Sequence, residues 1–263
     1  MIQAISAIDA QSRSRESAGQ LVDGTWLMPG SDPSRRHLAH TSAIIDTAAI
    51  KSFPPGYRIN GCADIFGDSG VSSDRPMYIY DRNDNFSAPW TAWLLKSHGA
   101  DVRLVEDWTD ADIDETPPQP RRATFMSSAD PALMNATVGD VVDAIDTRTQ
   151  IIDARSRERF EGQMPEPRKG NRSGHIPGSL SLPFADLKSG EVFKPLAELA
   201  DAAGASGIDL SAPIITTCGS GVTASSLALA LTWLGARDVR VYQGSWAEWG
   251  ADPALPIETG SAQ

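Results

Sequence analysis

Cysteine is nearly absent from this chain: Cys62 and Cys218 are the only two among 263 residues. Neither belongs to a C-x-x-C pair, which argues against a zinc site, and a chain of this length needs no disulfide framework; a single Cys62–Cys218 bridge stays open. Basic charge is also scarce, with 23 Lys and Arg against 34 Asp and Glu and a net charge of −11. So acidic a surface repels phosphate backbones and excludes a nucleic-acid partner. Long apolar runs are missing, none approaching the roughly 20 residues that span a bilayer, which excludes a membrane partner. The opening MIQAISAIDAQSRSRES has no basic segment followed by an apolar core, so no secretory leader is expected and the expected compartment is the cytoplasm. There is no glycine-and-lysine phosphate loop either. What remains is ordinary soluble composition, 41% hydrophobic and 22% charged, and one cysteine in an unusual setting.

That setting is repeated in the chain with the cysteine replaced. DVRLV at 101–105 resembles DVRVY at 238–242, and carrying the same offset back from Cys218 lands on Asp81. PMYIYD and PIITTC both read as a short buried strand ending in one polar or reactive residue, followed by a candidate helix (88–97 and 224–234), a Gly-Ala turn and another strand. Upstream, LVDGTW at 21–26 parallels IIDARS at 151–156, and His37 parallels His175. Strands alternating with helices predict an α/β fold of mainly parallel sheets flanked by helices. We read two tandem domains, 1–110 and 138–263, joined by a polar, proline-rich linker at 111–137. Only the second carries a cysteine at the strand end.

The residues IITTCGSGVTASSLALALTWL (214–234) say what that cysteine could do. Leu227, Leu231 and Leu234 give the following helix a core-facing stripe. Its N-terminus points at the 218–223 loop, where the N–H groups of Gly219 through Thr223 lack intrahelical partners and the helix dipole adds positive character. Gly219 and Gly221 let the chain curl so that these donors converge. A sulfur at that point is favoured as thiolate, the nucleophilic form, with Ser220 and Thr223 adding hydroxyls at the rim. Phosphatases on a similar cradle need an arginine where this chain has Ala224, and the loop holds no basic residue, so phosphate chemistry is disfavoured.

CGSGVTA at 218–224 resembles the active-site loop of the 3-mercaptopyruvate sulfurtransferases within the two-domain rhodanese family. IIDARSRERFEGQMPEPRKGNRSGHIPGSLSLPFADL (151–187) resembles the family's D-x-R, R-F-x-G, P-E-P-R and G-H-I-P-G elements in order and spacing, and VYQGSWAEWG (241–250) its closing signature. The resemblance implies two rhodanese-like domains, the first, with Asp81 for cysteine, catalytically silent. It also implies a Cys218 nucleophile in a persulfide-cradling loop of Gly219, Ser220, Gly221, Val222 and Thr223. Arg159 and Arg168 match the family's substrate-carboxylate arginines, a task suited to the bidentate guanidinium; as simple ion-pair partners they would have Glu158, Glu161 and Glu166 nearby.

In the family the loop serine, here Ser220, works with an aspartate and a histidine of the first domain. This chain departs from that pattern: Asp46 sits near the expected aspartate, but Phe53, Pro54 and Pro55 stand where the histidine would be. His37 and His40 are the candidate substitutes, and Ser220 is either a catalytic residue or a plain hydroxyl donor. His175 reads as structural, Cys62 as an incidental thiol in a glycine-rich polar segment, and Trp246 and Trp249 as packing, with Trp249 near the mouth of the site. The implied reaction needs no cofactor and no metal. Its donor is 3-mercaptopyruvate or thiosulfate; its acceptor is a small thiol, cyanide or a thioredoxin-like protein. Two alternatives stay open: a thiosulfate sulfurtransferase, and a persulfide carrier or sensing module with little turnover.

Overall fold

The structure is a computed structural model describing residues 1–16, 18–26, 37–108, 113 and 119–261, without the side chains of 55–60. It divides into two compact units, Met1–Pro131 with Gly190–Val192, and Ala132–Ser189 with Phe193–Gln263. Residues 111, 112 and 114–118 of the expected linker lie outside the described residues.

In the first unit, β1 (Gln3–Ser6), β2 (Gln20–Asp23), β3 (Thr41–Ile44), β4 (Met77–Tyr80) and β5 (Val102–Glu106) form a parallel sheet in the order β1-β5-β4-β2-β3. Helices α1 (Ala7–Arg15), α2 (Thr47–Ser52), α3 (Pro55–Asp68) and α4 (Ala88–Ser97) connect the strands. In the second, β6 (Asn135–Ala136), β7 (Gln150–Asp153), β8 (Leu180–Ser181), β11 (Ile214–Thr217) and β12 (Val239–Tyr242) form another, ordered β6-β12-β11-β7-β8. Short strands β9 (Lys188–Ser189) and β10 (Val192–Phe193) pair separately, Val192 counting with the first unit, and α5 (Val138–Ala144), α6 (Arg157–Phe160), α7 (Leu196–Ala205), α8 (Val222–Trp233) and α9 (Ser245–Trp249) complete the second. This is the α/β architecture of helix-flanked parallel sheets expected from the sequence. Strand for strand the two orders correspond, and β4 and β11 are the central strands.

Central position explains composition. A parallel strand covered on both faces has no polar side, so MYIY and IITT are buried at every position. Edge strand β1 is exposed or half-buried along its length. Helix α8 starts at Val222, two residues earlier than the sequence pattern suggests, and is buried over nearly all of 222–231 rather than along one stripe. Leu227 and Leu231 are in the core, whereas Leu234 is its half-buried C-cap. The glycine-rich segment around Cys62, for which the sequence pattern predicts no element, is helical, within α3, and the thiol is fully buried against the His98 ring (Sγ to Nε2 3.2 Å). A helix with Gly61 and Gly67 in it hides from propensity, because glycine weakens helices in isolation and tertiary packing overrides that cost. Burial pushes the Cys62 thiol up to about 12, which leaves it inert. Neither cysteine is in a disulfide, so the bridge that the sequence left open does not form.

At the carboxyl end of β4, Asp81 is completely buried. Its carboxylate accepts the N–H groups of Asn83 (2.9 Å), Asn85 (2.9 Å), Ser87 (2.6 Å) and Ala88 (2.6 Å), and the Ser87 hydroxyl (3.1 Å). Burial raises its pKa against the pull of these bonds, but convergent donors leave a carboxylic proton no acceptor, which favours the ionised form. Asp81 thus fills its own loop. Asp81→Asn would aim an amide N–H₂ at those donors, and the expected loss is at least about 2 kcal/mol of stability, read by urea unfolding with tryptophan fluorescence. An unchanged midpoint would show that the loop does not depend on the charge.

Candidate active site

The second unit presents a thiol at the equivalent place. Cys218 follows β11 directly, at the carboxyl end of the central strand, where open parallel sheets gather their ligand-binding loops. Its Sγ accepts the N–H of Gly221 at 3.1 Å and that of Ser220 at 3.5 Å. The expectation of donors running from Gly219 through Thr223 is therefore narrowed: Ser220 and Gly221 supply the N–H groups that reach the sulfur. Gly221 makes this possible. It is the N-cap of α8 in the left-handed region (φ 88°), and a Cβ there would sit 2.8 Å from the Gln243 carbonyl oxygen.

The orientation of the donors comes from the far side of the same peptides. Helix α9 has free N–H groups at its N-terminus, and two of them reach this loop: Trp246 donates to the Cys218 carbonyl (2.9 Å) and Ala247 to that of Gly219 (3.0 Å). A planar trans peptide points its C=O and N–H in opposite directions. Turning the Gly219 carbonyl toward α9 therefore turns the Ser220 N–H back toward the sulfur. Ser245 adds a second brace. Fully buried, with φ 50°, it donates from Oγ to the Tyr242 carbonyl (2.7 Å) and accepts the Cys218 N–H on the same oxygen (3.1 Å). Cys218 itself is 2% exposed, so the thiol lies in the floor of the loop and the half-buried Gly219 and Ser220 form its rim.

Beside the rim stands a chain of alternating charges. Asp153, at the end of β7, pairs with Arg155 through Nε (2.9 Å) and Nη2 (2.7 Å). Arg155 is buried, also donates to the Gly174 carbonyl (2.8 Å), and lies 4.2 Å from the Trp246 ring centre. Its Nη1 reaches Glu166 Oε1 (2.9 Å), and Glu166 in turn holds Arg159 through Nε (3.2 Å) and Nη2 (2.6 Å). This uses one edge of the Arg159 fork. The Nη1/Nη2 edge faces the cysteine loop, since a Cβ on Gly219 would lie 3.2 Å from Nη2 and 3.8 Å from Nη1. A guanidinium has five N–H donors, enough to serve Glu166 on one edge and an incoming carboxylate on the other.

Of the residues singled out in the sequence, the structure brings Cys218, Gly219, Ser220, Gly221 and Arg159 together. Arg168 is an exposed loop residue, and among the described residues its side chain makes no ion pair. Val222 is core and Thr223 half-buried in the first turn of α8. Asp46 caps α2 by accepting the Ala49 N–H (2.8 Å). His37 pairs with the buried Asp23 (2.8 Å), and His40 lies in a turn at φ 66°. His175 is structural as expected, bonding the Phe160 carbonyl (2.9 Å) and stacking on that ring at 3.8 Å. Trp246 and Trp249 pack in the core as expected; the Trp249 indole bonds the Pro256 carbonyl (2.8 Å), and the backbone N–H of Trp246 braces the loop.

Sequence reasoning missed Ser245 and the bridging role of Glu166. Ser245 sits inside GSWAEW with nothing local to mark a left-handed serine. Glu166 was visible only as one of three acids near two arginines.

The Rhodanese-like domain family matches residues 137–252. Human 3-mercaptopyruvate sulfurtransferase is 34% identical over 251 residues, 88% of this chain and 84% of its own length. Bovine thiosulfate sulfurtransferase is 32% identical over 251 residues, with the same coverage of 88% and 84%. The crystal structure of SseA from Escherichia coli, described as a 3-mercaptopyruvate sulfotransferase of rhodanese fold, aligns with a TM-score of 0.77 at 26% identity, covering 94% of this chain and 99% of that one. A thiol set at the carboxyl end of a central parallel strand, beneath two backbone N–H groups and beside a half-free arginine fork, thus accompanies identity over most of both lengths, and the chain belongs to the 3-mercaptopyruvate sulfurtransferases of the two-domain rhodanese family.

Proposed function

We propose that this chain takes the sulfur of 3-mercaptopyruvate onto Cys218 as a persulfide, releases pyruvate, and passes the sulfur to a small thiol, cyanide or a thioredoxin-like protein. The observation that carries the reading is the Cys218 sulfur under the Ser220 and Gly221 N–H groups, with the unused edge of Arg159 against Gly219. The donor carboxylate docks on that edge; for Arg168, exposed in the loop after Glu166, the motif match alone supports a second contact. Cys218 thiolate attacks the donor sulfur; an S–S bond forms, the C–S bond breaks, and its electron pair leaves on carbon as the pyruvate enolate. The proton of the donor thiol ends on the pyruvate methyl group, and the outer persulfide sulfur carries the negative charge. Oriented N–H donors stabilise that charge without reorganising. Attack by the acceptor on the outer sulfur then returns the thiolate.

Ser220 stands at the rim as a hydroxyl donor. Asp46 is already committed to a helix cap, which supports a cycle without the family's serine relay. The matching strand orders support an internal duplication whose second copy starts by β6 (Asn135–Ala136), inside the 111–137 stretch read as linker, with the first copy made silent by Asp81 filling its loop. No helix among the described residues is long and apolar enough to cross a membrane, and two cysteines outside any disulfide suit a reducing compartment such as the cytoplasm. Thiosulfate is the second donor reading, favoured by the bovine relative's name; the neutral Gly219 and Ser220 favour a monocarboxylate.

The deciding experiment is intact mass of the reduced protein before and after 3-mercaptopyruvate, with pyruvate assayed in the same tube. One added sulfur on Cys218 with equimolar pyruvate is expected, and Cys218→Ser should show neither while melting like wild type. Sulfur gained only from thiosulfate would overturn the donor assignment. Arg159→Lys loses the second bidentate edge and should raise KM for 3-mercaptopyruvate roughly tenfold with a smaller change in kcat; an unchanged KM would remove the carboxylate clamp. Ser245→Ala removes the acceptor of the Cys218 N–H and should lower stability by about 1–2 kcal/mol and slow persulfide formation, read by urea unfolding and single-turnover pyruvate release.

A further inference from the structure

We infer that Glu166 is the positioning residue for donor binding, fixing the Arg159 fork in its receiving orientation before the donor arrives. The inference rests on the donor reading above. Arg159 sits on the short helix α6, and its side chain is 25% exposed, so nothing in its own element would hold a long guanidinium in one place. Glu166 does hold it. Both carboxylate oxygens are engaged along the Nε/Nη2 edge, at 3.2 and 2.6 Å, which aims the Nη1/Nη2 edge at Gly219. The Glu166 carboxylate is 3% exposed and is pinned from behind by Arg155 Nη1. Arg155 has no freedom either: Asp153, the Gly174 carbonyl and the Trp246 ring confine it. A rigid base therefore runs from the end of β7 to the rim of the cysteine loop, with Glu166 as its last link. Glu166 itself need not touch the donor.

Charge alone argues the opposite way, which makes the idea testable. A carboxylate beside Arg159 weakens that cation's attraction for an anionic donor. If Glu166 only balanced charge, Glu166→Gln would lower KM. If it positions the fork, the variant loses the bidentate carboxylate grip and KM rises, because orientation lost before binding must be recovered on binding.

The test is steady-state kinetics of the full chain, with 3-mercaptopyruvate as donor and cyanide as acceptor, for wild type, Glu166→Gln, Arg159→Lys and the double variant. Expected is a roughly five- to tenfold higher KM for Glu166→Gln with kcat within about twofold. In the Arg159→Lys background, the same change should add almost nothing, because the residue acts through the missing fork. A KM that is unchanged or lower in Glu166→Gln overturns the inference, as does an equal rise in both backgrounds, which would mark a general structural effect. Should Glu166→Gln melt far below wild type, Glu166→Asp keeps the charge but shortens the reach; a KM raised by a smaller factor supports positioning and an unchanged KM overturns it. A wild type that takes sulfur from thiosulfate but releases no pyruvate refutes the donor assignment, and the same four proteins then decide the Glu166 question with thiosulfate.

Discussion

Backbone N–H groups gathered beyond the carboxyl end of each central strand create a position that only an anion or a strong acceptor fills well. Much of the chemistry here depends on what occupies it. In the first unit the occupant is the Asp81 carboxylate, held by backbone donors of its own loop and of the start of α4. In the second it is the Cys218 sulfur, under the donors of Ser220 and Gly221. A carboxylate there is an end point, since its oxygens are consumed by the donors of the loop. A sulfur can accept a further atom, and the charge then moves outward with it.

Holding the cradle open requires that the loop's own carbonyls be drawn away from it. Helix α9 does this by donating to the carbonyls of Cys218 and Gly219, while Ser245 takes the Cys218 N–H on one side and the Tyr242 carbonyl on the other. The left-handed backbone of Ser245 is the cost of placing one hydroxyl where it serves both. GSWAEW is therefore part of the site although no side chain in it carries the reaction. The ion-pair chain plays the matching part for the rim: Asp153, Arg155 and Glu166 are buried, so their charges stay matched in pairs, and only the outermost arginine keeps donors to spare.

Much of this was legible in the sequence because it is local. An apolar run marked β4 and a β-branched run marked β11 as short buried strands, and the glycines around Cys218 marked a loop that must curl. Arg159 was legible through its motif. What stayed hidden depends on contacts between distant segments. Helix α3 carries glycines that propensity reads as loop, yet it packs Cys62 against His98. The all-round burial of α8 comes from neighbours on several sides, which a single-stripe pattern does not record. Ser245 lies far from Cys218 in sequence and looks like any serine in a turn. Glu166 was one acid among three, and only the fold shows that it alone bridges two arginines.

Loop length completes the contrast between the halves. Helix α4 starts at Ala88 after an 81–87 loop in which Asp84 and Asn85 adopt left-handed backbone, and that longer path wraps the carboxylate of Asp81 completely. Helix α8 starts at Val222, so the loop after Cys218 is short, with one left-handed residue, Gly221. The short loop sets the Ser220 and Gly221 N–H groups over the sulfur, with Gly219 and Ser220 half-buried at its rim. A cysteine at position 81 would thus meet a longer loop whose donors are divided between two carboxylate oxygens, Asn83 and Asn85 on one and Ser87 and Ala88 on the other. By the same reasoning, the two units differ in two things at once, the residue that ends the central strand and the geometry of the loop that follows it.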